Sequence, residues 1–135
     1  MRTTLSILPL AIALAVSSCG HSGEIQEFGN DLKTVARNMA SEVNSDPSPA
    51  GVSKAMKEFS KERTPLRARW DKLRAKSLSQ HEKGLLLSAV GDSRLELRQL
   101  TSKHLADTHR NAPFGSSLVL LQREFEEYFD MDSIH

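Results

Sequence analysis

The sequence predicts an all-α fold, a small antiparallel bundle of four or five helices, on three observations. Apolar residues recur at intervals of three, four and seven, the spacing that puts them on one face of a helix. Ser, Thr, Asn and Pro punctuate the chain where helices start and stop. No stretch shows sustained alternation with β-branched residues, and no internal repeat or low-complexity tract is visible. Amphipathic helices with short connections bury their stripes most simply against one another.

The first stripe runs from Glu24 to Asn44 through Ile25, Phe28, Leu32, Val35, Ala36, Met39 and Val43. Gly29 lies off it and weakens the helix slightly. The run Ser45-Asp46-Pro47-Ser48-Pro49 breaks this helix, with Ser48 as N-cap and Pro49 in the first turn of the next. That second helix carries Val52, Met56 and Phe59, and Thr64-Pro65 should kink or restart it with Thr64 as a new cap. Leu66, Trp70 and Leu73 continue the stripe beyond. Ser79 and Glu82 have capping-box spacing and open a third helix through Leu86, Val90, Leu97, Leu100 and His104. Gly91 lies inside it, and Ser93 with Glu96 repeats the spacing, so a break there is an alternative. Asn111-Ala112-Pro113 ends that section, and a last helix from about Ser116 to Met131 carries Leu118, Leu121, Phe125 and Phe129.

The length, 135 residues, suits one domain. With 39% hydrophobic and 26% charged residues the composition is that of a globular domain. Aromatics make up only 5%, which leads one to expect a core built mainly from Leu, Val, Ala and Met. One cysteine excludes an internal disulfide and a thiolate metal cluster.

The N-terminus carries the sharpest signal. Arg2 is followed by an almost wholly apolar run from Leu5 to Val16, then by Ser17, Ser18 and Cys19. As a helix this run would reach only about 18 Å, against a hydrocarbon core of roughly 30 Å, so a permanent transmembrane anchor is the weaker reading. The tetrapeptide Val16-Ser17-Ser18-Cys19 resembles the lipobox of bacterial lipoproteins. That resemblance implies diacylglycerol on the Cys19 sulfur, cleavage just before it and acylation of the new amine. An Asp after the cysteine is that class's inner-membrane retention cue; Gly20 stands there instead, which implies the outer membrane. The competing reading is an ordinary secretory signal cut near Ala15-Val16-Ser17. The expected organisation is thus a signal peptide at 1–18, a lipidated cysteine and short tether at 19–23, and a helical domain at 24–132. Removing 1–18 takes away Arg2 alone and leaves 17 residues of each sign. Nucleic-acid binding needs a basic excess that this domain lacks.

Charge is nevertheless segregated. Nine basic residues lie between Lys54 and Lys76 against Glu58, Glu62 and Asp71, while Glu124 to Asp132 holds five acids and no base. These stretches either lie beside each other in the bundle and set helix pairing, or present Lys57, Lys61, Arg67, Arg69, Lys72 and Arg74 to anionic lipid headgroups or an acidic partner. Trp70, the sole tryptophan, is core by default and a groove anchor by alternative.

Two chemical leads fail on physical grounds. Leu85 to Val90 followed by Gly91-Asp92-Ser93, with Asp132 and His135 at the end, resembles the GDS-type esterases, Ser93 being the nucleophile. That family needs a parallel α/β sheet between the two blocks, and 44 residues separate Gly91 from His135. Arg94 also stands where the family has Leu. Haem ligation by His104 with Met39 or Met56 lacks any Cys-x-x-Cys-His site or histidine pair at i, i+4. No catalytic set, metal site or resident cofactor is therefore expected. The expected function is a membrane-anchored binding or adaptor module with an envelope protein partner. The alternative is a carrier of lipid or haem in a cavity lined by Trp70 and His104.

Overall fold

The computed structural model describes residues 20–134. Among the described residues the fold has five helices, α1 (Ser22–Ser45), α2 (Pro49–Arg74), α3 (Gln80–Lys103), α4 (Leu105–Arg110) and α5 (Ala112–Tyr128), closed by a 3-10 turn at Met131–Ser133. The predicted all-α bundle is what forms. Its helix starts are built as the sequence requires. Ser48 Oγ accepts from the Gly51 amide with Pro49 in the first turn. At Ser79 the capping box is complete: Ser79 Oγ accepts from the Glu82 amide at 3.1 Å, and Glu82 Oε1 accepts from the Ser79 amide at 2.9 Å.

α1 is central, packing along both α2 and α3, while α5 closes the other side of the ring against α2 and α3. The three-residue turn Asp46–Ser48 makes α1 and α2 antiparallel. α1 and α3 run parallel, because their contacts (His21 with Glu82, Asn44 with His104) hold a constant offset of 61 and 60 residues. Thus the connection from α2 to α3 crosses the bundle rather than joining neighbours. α3 and α5 are again antiparallel, with Arg94 reaching Phe129 and Thr101 reaching Gln122.

Several boundaries differ from those the sequence suggested. α2 runs unbroken through Thr64 and Pro65, so Thr64 is not a cap. Pro65 is exposed, and Phe59, Leu66, Trp70 and Leu73 stay on one buried face across it. Packing on both sides outweighs the one backbone hydrogen bond that Pro removes. α3 likewise passes through Gly91 without breaking, with Val90, Ser93 and Leu97 all buried. Asn111 both ends α4 and caps α5 through its side chain, so α5 begins at Ala112 rather than near Ser116, and ends at Tyr128. Ser22 and Gly23, read as tether, already belong to α1.

The core is more aromatic than the composition implied. All five Phe and Trp70 are fully buried. Phe28 stacks on Trp70 with ring centroids 6.0 Å apart, and Phe129 meets both edge-on. Phe59 and Phe125 extend the cluster. Few aromatics suffice because every one except Tyr128 is spent inside.

Three partly exposed carboxylates join elements across this core. The Ser79 amide and then the His21 amide hold Glu82 below the usual carboxylate range. Lys76 does the same for Glu24, and Arg98 for Glu126. A folded-state value depressed below the unfolded one stabilises above the unfolded value, about 4.3 for Glu, and that stabilisation is lost as pH falls through the folded value. Melting temperature should therefore decline on acidification below that point. Glu82→Gln, which keeps an acceptor but does not titrate, should show a shallower decline; identical slopes for the two proteins would remove Glu82 from the account.

Candidate functional site

The residues singled out from the sequence do not converge on one place. Trp70 is fully buried between Phe28 and Phe129, and its indole Nε1 has no hydrogen-bond partner among the described residues. His104 lies toward the opposite end of α1, where Nε2 shares a hydrogen bond of 2.7 Å with Asn44 Oδ1. Its Nδ1 is 3.6 Å from Asp107 Oδ2, and Phe114 lies edge-on to the ring at 5.9 Å. Their contacts on α1, Phe28 and Asn44, are sixteen residues apart, about 24 Å along the helix. Among the described residues neither Trp70 nor His104 lines any of the five best-formed surface grooves. Nε2 of His104 is taken up by Asn44, and Met39 is fully buried. Met56 packs against the core.

The three arginines are each engaged by the chain itself. Arg67 donates from Nη1 to the Tyr128 carbonyl at 2.6 Å and from Nε to Asp71 at 3.1 Å. Arg69 pairs with Asp31 at 2.6 Å and lies over the Phe28 ring. Arg74 pairs with Asp71 at 2.7 Å. Reversing these charges would break contacts within the bundle, so they are poor probes of a partner surface. The segregated stretches do meet: Arg63 and Arg67 of α2 face Glu124, Glu127 and Tyr128 of α5 across a shallow groove of about 280 Å³. Both guanidinium groups lie over the Tyr128 ring. Among the described residues no ion pair joins a base of residues 54–76 to an acid of 124–132, so the two stretches meet through Tyr128 rather than charge to charge.

Some working residues escaped the sequence reading. Arg94 Nη2 donates to the carbonyls of Glu126 and Phe129 at 2.9 and 3.0 Å, so that with Arg67 two cations satisfy the C-terminal carbonyls of α5. Arg98 pairs with Glu126 at 2.6 Å. Gln122 donates to the Leu97 carbonyl and Thr101. No local pattern betrays such partners, which lie 21 to 35 residues away in the chain.

The esterase resemblance loses its geometry. Leu85 to Ser93 is the middle of α3, not a strand leading into a turn, and Ser93 Oγ is buried and donates to the Ala89 carbonyl. Asp132 sits exposed in the final 3-10 turn, and His135 lies outside the described residues. The signal peptide and Cys19 also lie outside them. Among the described residues no helix is long and apolar enough to cross a membrane. A groove of about 320 Å³ between α1 and α2 is lined by Asp31, Glu58, Glu62, Pro65 and Arg69, among others. Among the described residues, Leu95, Leu105, Val119 and Leu120 are large apolar side chains left about half exposed.

Set against known proteins, the chain matches no family model, no curated protein and no solved structure.

Proposed function

We propose that the chain is a lipoprotein held by acylated Cys19 in the outer membrane, facing the periplasm, whose helical bundle acts by binding an envelope protein rather than by catalysis. The observation that carries this reading is the lipobox-like Val16-Ser17-Ser18-Cys19 at the end of a short apolar run. The bundle supports it indirectly. Trp70, Ser93, His104 and the arginines of α2 are all engaged in holding the fold together, which leaves the exposed surface for recognition.

The test is metabolic labelling with an alkyne fatty acid, followed by membrane fractionation. Wild-type chain should take up the label and sediment with membranes. Cys19→Ser should lose the label and either stay uncleaved or enter the soluble fraction. Unlabelled wild type cut near Ala15 would replace the anchor with ordinary secretion. Native mass spectrometry of residues 20–135 then addresses the module: a bare polypeptide mass fits an adaptor, and a retained small molecule would shift the reading to ligand carriage.

A further inference from the structure

Between the lipidation position and the first helical residue lie only Gly20 and His21. Both are held against the bundle. Gly20 has φ of +64°, a left-handed turn open to glycine, which directs the chain into α1. The His21 amide donates to Glu82 Oε2 at 2.8 Å, at the start of α3. Even fully extended, two residues span only about 7 Å. The headgroup layer on each side of a bilayer is itself roughly 5–7 Å thick. An acylated Cys19 therefore cannot leave the bundle swinging free.

We infer that the anchor seats the bundle end-on, so that the end formed by the start of α1, the end of α2 and the start of α3 rests on the phospholipid headgroups. This rests on the anchor reading at Cys19. From Lys72 to His81 the chain contains Lys72, Arg74 and Lys76; Arg74 pairs with Asp71 and Lys76 with Glu24, and Lys72 is the base of this end without an ion pair among the described residues. Lys72 and His81 are exposed, and Lys76 reaches Glu24 in the first turn of α1, which ties the α2–α3 connection to the anchored end. Basic side chains already confined beside anionic phosphates need little intrinsic affinity to engage them. The opposite end, with Asn44, His104 and α4, then stands about 36 Å from the membrane, the length of the 24-residue α1. Exposed Leu105 at that end is presented to partners at that height.

Acylation of Cys19 leaves the full-length protein without a free thiol, so an introduced cysteine can be labelled alone. His81→Cys and Ala50→Cys, each carrying a fluorophore, are reconstituted as the lipidated chain into phosphatidylethanolamine–phosphatidylglycerol vesicles containing a lipid with a nitroxide on its headgroup. The label at position 81 should be quenched several-fold more than the label at 50. Inserting Gly-Ser-Gly-Ser after Gly20 should abolish most of that difference. Equal quenching at the two positions, or a difference undiminished by the insertion, overturns the inference. The mass of the N-terminal peptide, measured on the same sample, reads the anchor separately: without acyl chains the anchor reading falls and this one with it, whereas an acylated chain with equal quenching sinks the orientation alone.

Discussion

Trp70→Ala should cost about 3–5 kcal/mol of unfolding free energy, the range for removing a large aromatic from a packed core. Trp70 is fully buried, stacked on Phe28 and met edge-on by Phe129, so its loss empties the place where α1, α2 and the end of α5 converge. Small domains have only about 5–15 kcal/mol in hand, so the variant should lose roughly a fifth or more of its stability. Trp70→Phe separates packing from polarity. The indole Nε1 has no partner among the described residues, and an unsatisfied buried donor costs about 1–3 kcal/mol, so removing it offsets part of the lost volume. Phe is therefore expected to cost less than half of what Ala costs, measured by urea unfolding followed by circular dichroism. If Ala were tolerated with a shift well under 1 kcal/mol, Trp70 would have to be a surface anchor rather than the centre of the core.

That single tryptophan shows what the sequence could and could not reveal. Its place on the stripe with Leu66 and Leu73 was legible, because a buried helix face repeats locally. Its stacking with Phe28, on another helix, was not. The same division runs through the chain. Ser48 and Ser79 announced their helix starts because a cap acts on amides two or three residues away. Pro65 was misleading, since the local cost of a proline is visible in sequence and the tertiary burial that outweighs it is not. His104 illustrates the limit for site prediction. A histidine on an apolar face suggested a ligand, but Asn44, sixty residues earlier, satisfies it, and no spacing rule links them. The arginines of α2 read as a free basic patch only while their partners, Asp31, Asp71 and the Tyr128 carbonyl, were unknown. The proposed lipidation signal rests on the sequence alone, since a short linear motif is what such processing chemistry would read and Cys19 lies outside the described residues.

Gly29 is the residue whose sequence reading changes most, and it yields a result with a sign. Taken alone it is a weak point in α1, and Gly29→Ala should stabilise by up to about 1 kcal/mol through helix propensity. In the bundle, a Cβ at Gly29 would stand 2.8 Å from the Ala89 Cβ on α3, closer than two such atoms tolerate. Ala89 has no flexible side chain to swing aside, so the whole parallel α1–α3 contact would have to open. Overpacking of that kind costs about 1–3 kcal/mol, and it exceeds the propensity gain. Gly29→Ala is thus expected to destabilise the wild-type protein. In an Ala89→Gly background the clash is gone, and the same Gly29→Ala substitution should stabilise relative to that background. The coupling energy from the four-protein cycle should exceed about 1 kcal/mol. Additive effects would mean that α1 and α3 do not approach closely here. The parallel pairing of these two helices, which also brings the His21 amide onto Glu82 at the start of α1, depends on that approach.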